Sequence, residues 1–300
     1  MYTEYFGLNA RPFSIIPDGD DFYLSPQHQA AFNMLEFGVL EQVGITVITG
    51  EVGSGKTTLV QHLLKRLDYR ALTVALVDTA HSAYGSLLRW IVDAFRIEAD
   101  AESESSYLLA LQNFLVDRFA QGKRTVVIID EAQNMSSQDL EALRLLTNIN
   151  ANNNQLLQIV LVGQPELLKK FYEPGMSQLA QRVSAEYNLS TLDVNETTSY
   201  IRYRLESAGG VRELFDPAAV LAVFYFSAGI PRIINTICDG ALVLTYGLGE
   251  TCVTLDSVVK VVRSKPIGGV HRPFMERPDR EAVRENILKR FGINLLEVVS

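Results

Sequence analysis

The run GEVGSGKTT, residues 50–58, sets Gly50, Gly53 and Gly55 ahead of a lysine and two threonines. Glycines let a backbone turn its N–H groups inward. A lysine at Lys56 reaches the outer phosphates of a nucleotide, and the hydroxyl of Thr57 is a ligand for Mg²⁺. The whole stretch, Gly50, Glu51, Val52, Gly53, Ser54, Gly55, Lys56, Thr57 and Thr58, therefore reads as a cradle for a polyphosphate. It follows the apolar run ITVIT and opens the helical pattern TTLVQHLLKRL, and a helix N-terminus adds a favourable field for anions. At average composition the pattern Gly-x4-Gly-Lys-Ser/Thr arises by chance in about one chain in a hundred of this length.

A second run, VVIIDEAQ, ends an apolar strand in two acids. Asp130 is expected to hold Mg²⁺ or its water, and Glu131 to orient and polarise an attacking water, which points to ATP hydrolysis rather than binding alone. ATP and Mg²⁺ are the cofactors expected. Gln164, at the tip of LQIVLVGQPE, either bonds the γ-phosphate or the attacking water, or is a polar turn residue before Pro165. Arg182 ends a helical stretch before AEYNL; it either projects into a neighbouring copy's nucleotide and offsets transition-state charge, or is a surface or structural arginine. In SAGIPRIIN a lone cation, Arg232, stands in a first helical turn, where helix N-termini favour anions. It is either solvated or meets something negative, for which the γ-phosphate is the candidate.

These residues need a frame. Continuous apolar runs at 45–50, 72–78, 125–130, 157–163 and, less clearly, 185–189 alternate with helical patterns, which predicts an α/β domain with a parallel sheet covered on both faces. From Asn195 the strand signal stops and four helical stretches follow, with Pro217 and Pro231 in first turns and Gly209, Gly229 and Gly247 at stops. The expected organisation is residues 1–193 as a nucleotide-binding base with an N-terminal strap, 194–265 as a helical lid, and 266–300 as a linker and amphipathic tail. In the tail, Val283, Ile287, Leu288 and Phe291 share a helix face that packs on its own domain or serves association. In the strap, Tyr5, Phe6 and Phe13 either enclose an adenine or tie the terminus down, and His28 belongs with them.

Composition bounds the rest. The 300 residues are 47% hydrophobic and 21% charged, which describes a globular chain with ample core. No basic leader followed by an apolar core opens the sequence and no apolar run is long enough to span a membrane, so the expected location is cytoplasmic, with peripheral placement at the inner membrane through partners. Cys238 and Cys252 read as buried small apolar residues. The net charge of −8 disfavours nucleic acid as a partner, although the stretch from Lys260 to Arg290 is mildly basic.

The runs YFGLNARPFSIIPD, GEVGSGKTT, VVIIDEAQNMS, LVGQPEL, LAQRV, YIRYRLESAGG and GIPRIIN, in this order, resemble the general-secretion-pathway protein A (ExeA-type) branch of AAA+ ATPases, which includes ATPases of pilus-biogenesis and exosortase or exopolysaccharide loci. The resemblance covers about residues 1–265. It implies a P-loop AAA+ fold of the ASCE type, with a five-stranded parallel sheet and a small all-α lid. Lys56 and Thr57 would then be Walker A residues, Asp130 and Glu131 Walker B, Gln164 sensor 1, Arg182 an arginine finger acting in trans, and Arg232 sensor 2. The implied partners are further copies of the chain, in a nucleotide-dependent ring or filament, and a cell-envelope polysaccharide, pilus or secretion assembly. Kinship of this branch with transposition ATPases of the TniB and TnsC type implies a DNA-associated regulator as the alternative. Secretion-type members continue into a transmembrane segment and a peptidoglycan-binding domain, so with a short tail in their place direct action on the cell wall is not expected.

Overall fold

A computed structural model describes residues 2–14, 22–41, 44–79, 85–99, 103–151, 154–210, 213–264 and 278–299. The chain divides into two packing units, one of Pro26–Glu51 and Lys56–Leu189, the other of Met1–Ser25, Val52–Gly55 and Ser190–Ser300.

The first unit is built on five parallel strands, β1 (Ile45–Gly50), β2 (Leu72–Asp78), β3 (Arg124–Asp130), β4 (Leu157–Gly163) and β5 (Val183–Leu189). Their order across the sheet is β2-β3-β4-β1-β5. β4 thus lies between the strand that ends in the glycine-rich loop and the strand that ends in Asp130, with Thr49 beside Gly163 and Ile129 beside Leu161. The three inner strands are buried along nearly their whole length, whereas the edge strands β2 and β5 alternate buried and exposed residues, as expected when helices cover both faces but not the edges. Helices α1 (Pro26–Leu40) and α2 (Lys56–Arg66) pack on the strands from one side. Ile45, Val47, Val127, Ile129, Leu157, Ile159 and Leu161 form one apolar cluster with residues of α3 (Leu87–Ala94), α4 (Glu104–Ala120), α5 (Ser137–Leu146) and α6 (Glu166–Phe171). Capping boxes at Ser103 and Ser136 start α4 and α5 by satisfying N–H groups that a helix leaves unpaired.

The second unit holds α7 (Val194–Ser207), α8 (Pro217–Ser227), α9 (Pro231–Gly247), α10 (Leu255–Ser264) and α11 (Pro278–Phe291). Asp193 and Asp216 cap α7 and α8. α8 is buried on most of its circumference, from Ala218 to Ser227, and contacts the other four helices, the position in a bundle that an all-round apolar helix demands.

Two expected boundaries shift. The N-terminal segment packs with the helices rather than with the sheet. Tyr2 Oη donates to Asp239 Oδ1 at 2.6 Å, Asn9 N–H to Ala208 O at 2.7 Å and Arg204 Nε to Pro12 O at 2.6 Å, while Phe13 is buried edge-on against Phe215. The tail helix is likewise part of this unit: Val283 and Ile287 are buried, and Arg280 lies 4.7 Å over the Tyr225 ring while donating to Tyr225 O at 2.7 Å. Leu288 and Phe291, expected on the same packed face, are about half exposed. The expected linker at 266–279 falls almost wholly outside the described residues.

Candidate nucleotide-binding site

In parallel α/β sheets the carboxyl ends of the strands are where ligands gather, and the residues with chemical potential lie there. Gly50 ends β1 and Lys56 begins α2. Between them Gly53 and Gly55 have φ of +81° and +102°, a region that costs glycine nothing. Lys56 is almost fully buried, and its Nζ donates to Gly50 O at 2.7 Å and Glu51 O at 2.9 Å. Those carbonyls offset the cost of withdrawing an ammonium from water. Thr58 follows in the first turn of α2.

Thr57 Oγ1 donates to Asp130 Oδ2 at 2.8 Å, and Glu131 N–H to Asp130 Oδ1 at 2.9 Å. Burial raises the Asp130 pKa above that of an ordinary aspartate, against the pull of these two hydrogen bonds and the Lys56 charge. One carboxylate beside one hydroxyl is the small oxygen set that suits Mg²⁺, which keeps waters and takes substrate phosphates for its remaining positions. The residues present therefore fit the metal, and a dication would oppose the upward shift that burial gives Asp130.

Glu131 has φ 53° and ψ 34°, a left-handed conformation that costs a residue with a side chain about 1–3 kcal/mol. Neighbouring side chains hold it there. The Thr79 hydroxyl, fully buried at the end of β2, lies 3.0 Å from Asp130 O and 2.6 Å from Glu131 O. Gln133 Nε2 donates to Glu131 Oε2 at 2.6 Å, Gln164 Nε2 contacts the same oxygen at 3.4 Å, and Gln164 N–H donates to Gln133 Oε1 at 2.9 Å. Lys56, Thr57, Asp130, Glu131 and Gln164 are thus brought together. Thr79 and Gln133 were missed: each is a polar residue at the end of a strand or in a tight turn, and the signal that points to them is adjacency, since Asp78 is in register with Asp130 and Gln133 lies two residues past Glu131.

Arg232 lies in the second unit. Its backbone N–H donates to Gly53 O at 3.2 Å, and a Cβ on Gly53 would come within 2.7 Å of the Arg232 Cβ. An N–H of the first turn of α9 is thereby satisfied by a glycine-loop carbonyl. The Arg232 side chain is exposed and takes no partner among the described residues. Arg182 differs. Its guanidinium donates to Thr147 O at 3.1 Å and Asn148 Oδ1 at 2.5 Å.

Of the strap aromatics, Phe6 and Phe13 are buried in the helical core, and Tyr5 stacks edge-on with Phe6 and Tyr246. They tie the terminus down. His28 is buried within α1. Cys238 is buried, as expected, and burial pushes its thiol pKa up, whereas Cys252 is only half buried. Among the described residues no helix is long and apolar enough to cross a membrane.

Residues 40–171 match the family described as AAA domain. Over 251 residues, 83% of its length, the chain is 40% identical to general secretion pathway protein A of Aeromonas hydrophila. The chain thus carries an AAA domain and is similar to secretion protein A. It spans about half the length of that relative, 46% of it. Among solved structures the protein resembles Cdc6p of Pyrobaculum aerophilum, with a TM-score of 0.66 at 13% identity over 96% of this chain and 87% of that one. The ORC2 protein of Aeropyrum pernix gives 0.60 at 20% identity over 86% and 72%, and the RuvB Holliday junction branch migration motor of Thermotoga maritima 0.54 at 16% over 93% and 81%. At such identities these likenesses concern the fold, a five-stranded parallel P-loop sheet with added helices. The AAA domain carries nucleotide binding with it.

Proposed function

We propose that this protein hydrolyses ATP and uses the cycle to switch or remodel a cell-envelope assembly of the polysaccharide, pilus or secretion kind. The observation that carries hydrolysis is the Glu131 carboxylate, fixed by Gln133 and Gln164 one residue beyond the Thr57–Asp130 pair. In this reading the N–H groups of residues 50–55 and the Lys56 ammonium hold the phosphates, with Lys56 exchanging its carbonyl partners for phosphate oxygens. Thr57 and Asp130 would hold Mg²⁺, which would supply positive charge to the phosphates. Glu131 takes a proton from the attacking water, Gln164 orients that water, and Arg232 supplies positive charge to the outer phosphate.

The envelope role rests on kinship with a protein named for the general secretion pathway. Self-assembly with Arg182 acting in trans belongs to the same reading, and requires Arg182 to leave Thr147 and Asn148. Peripheral placement at the inner membrane would follow from the partner. A DNA partner is the weaker reading. The Aeropyrum pernix ORC1 protein, a fold neighbour at 16% identity with a TM-score of 0.61, is known in complex with DNA, but here the net charge is −8, Arg280 is spent on Tyr225 and Arg284 pairs with Glu281.

Phosphate release, measured beside equilibrium binding of a slowly hydrolysed ATP analogue, tests the proposal. Lys56→Ala is expected to abolish binding. Glu131→Gln is expected to keep binding and lower kcat by about 10²–10⁴; turnover at the wild-type rate in that variant would remove Glu131 from the chemistry.

A further inference from the structure

Gln133 has no role in the reading above beyond holding an oxygen, yet its amide occupies a position that asks for a donor and an acceptor at once. It lies in the short turn Ala132–Asn134 that follows the left-handed Glu131. On one side it meets an acceptor, Glu131 Oε2, and on the other a donor, the Gln164 N–H. A carboxylate at 133 could not donate to Glu131, a lysine or arginine could not accept from Gln164, and an asparagine is a methylene short of one that spans both. The bridge joins the end of β3 to the end of β4 across the point where their pairing stops, after Ile129 and Leu161. Room for it depends on Gly163: a Cβ there would stand 3.0 Å from Gln133 Oε1 and 3.2 Å from Gln133 N.

We propose that Gln133 is a positioning residue for hydrolysis, the group that selects which oxygen of Glu131 accepts the proton of the attacking water. Both amide contacts to the carboxylate fall on Oε2, and among the described residues Oε1 takes no hydrogen bond. Oε2 is the anchor and Oε1 the working oxygen. A carboxylate held at one oxygen by a 2.6 Å charge-assisted bond cannot rotate its working oxygen away from the water without breaking that bond. The loss of Gln133 lets the carboxylate rotate, which lowers the fraction of time Oε1 is in line and leaves the phosphate cradle untouched. This inference rests on the reading of Glu131 as the base.

The test is a kinetic cycle on the full chain with Gln133→Met, which keeps length and removes both hydrogen bonds, alone and combined with Glu131→Gln. Steady-state phosphate release gives kcat and KM, and a slowly hydrolysed ATP analogue gives Kd. The expected result is a kcat lowered about 10- to 100-fold, of the order seen when groups that orient a functional ligand are removed. KM and Kd should stay within about twofold, and no further loss should appear in the Glu131→Gln background. A merely structural role would raise KM and Kd or multiply with Glu131→Gln, and either result overturns the proposal, as does a kcat within about twofold of wild type. If Gln133→Met does not fold, Gly163→Ala, which crowds Gln133 without altering it, must give the same fall in kcat at constant Kd, and an unchanged kcat there overturns the proposal equally. Wild-type turnover abolished by Lys56→Ala reports on the ATPase reading separately. Its presence with an indifferent Gln133 sinks only this inference, and its absence sinks both.

Discussion

Among the described residues three non-glycine residues lie in the left-handed region, Arg96 with φ 55°, Glu131 after β3 with φ 53° and Ala228 after α8 with φ 51°, and the last two are kept there by different means. Around Glu131 the restraint is one backbone bond, from Asn134 N–H to Glu131 O at 2.9 Å, joined by several side chains: Thr79 on the two carbonyls, Gln133 and Gln164 on the carboxylate. Around Ala228 it comes mostly from backbone. Leu192 N–H donates to Gly229 O at 2.9 Å and Ile230 N–H to Ser227 O at 3.0 Å, with the Ser227 hydroxyl accepting from Gly229 N–H at 3.2 Å. Strain held by side chains can be altered one group at a time and serves to aim a carboxylate. Strain held by backbone fixes where a helix begins, here the start of α9 that carries Arg232, and leaves that side chain uncommitted.

The comparison can be broken most forcefully at Gly229, with φ +74°, where a Cβ would fall 1.8 Å from Leu192 O. Gly229→Ala should destabilise the fold by about 2–4 kcal/mol, as clashes at special backbone positions do, read as a fall in the denaturant midpoint. An unchanged midpoint would mean that the turn has other conformations open to it. Thr79→Val keeps shape and removes the hydroxyl beneath Glu131. The expected loss is about 1–2 kcal/mol of stability, accompanied by slower turnover; equal stability would deny that side chains hold this strain. Arg232→Ala should change stability least, by within about 0.5 kcal/mol for an exposed side chain, yet lower turnover roughly tenfold, equivalent to about 1.4 kcal/mol of transition-state charge. Unchanged ATP affinity and turnover would return Arg232 to being a solvated cation.

Much of this was legible in the residues. ITVITG, TVVIID and LQIVLVG are unbroken apolar runs because the strands they form are buried on both faces, and they stand where the sequence puts them. The glycine loop and the acid pair were legible because each is a run of contiguous residues at fixed spacing. Gln133 was not, because a glutamine in a turn carries no pattern, and its partners Glu131 and Gln164 define it only once β3 and β4 lie side by side. The N-terminal segment was open on similar grounds. Its aromatics suit either a base or a core, and what decides between them is Phe215 and Asp239, more than two hundred residues away in the chain. Arg182 shows the limit in reverse, since the fork that suited a phosphate suits the Thr147 carbonyl and Asn148 as well.

The sheet order also bears on how the molecule comes to exist. Ile45 of β1 pairs with Ile159 of β4 and Val183 of β5, and with no strand nearer to it in the chain. Its neighbours are among the last strands to leave the ribosome, and pairing of such high contact order is slow. The glycine-rich loop therefore has no fixed stem until most of the first unit has been translated. A nascent chain released before residue 157 should carry every residue of the phosphate-loop motif and bind no nucleotide, so that ligand capture becomes a late event in biogenesis rather than a nucleus for it.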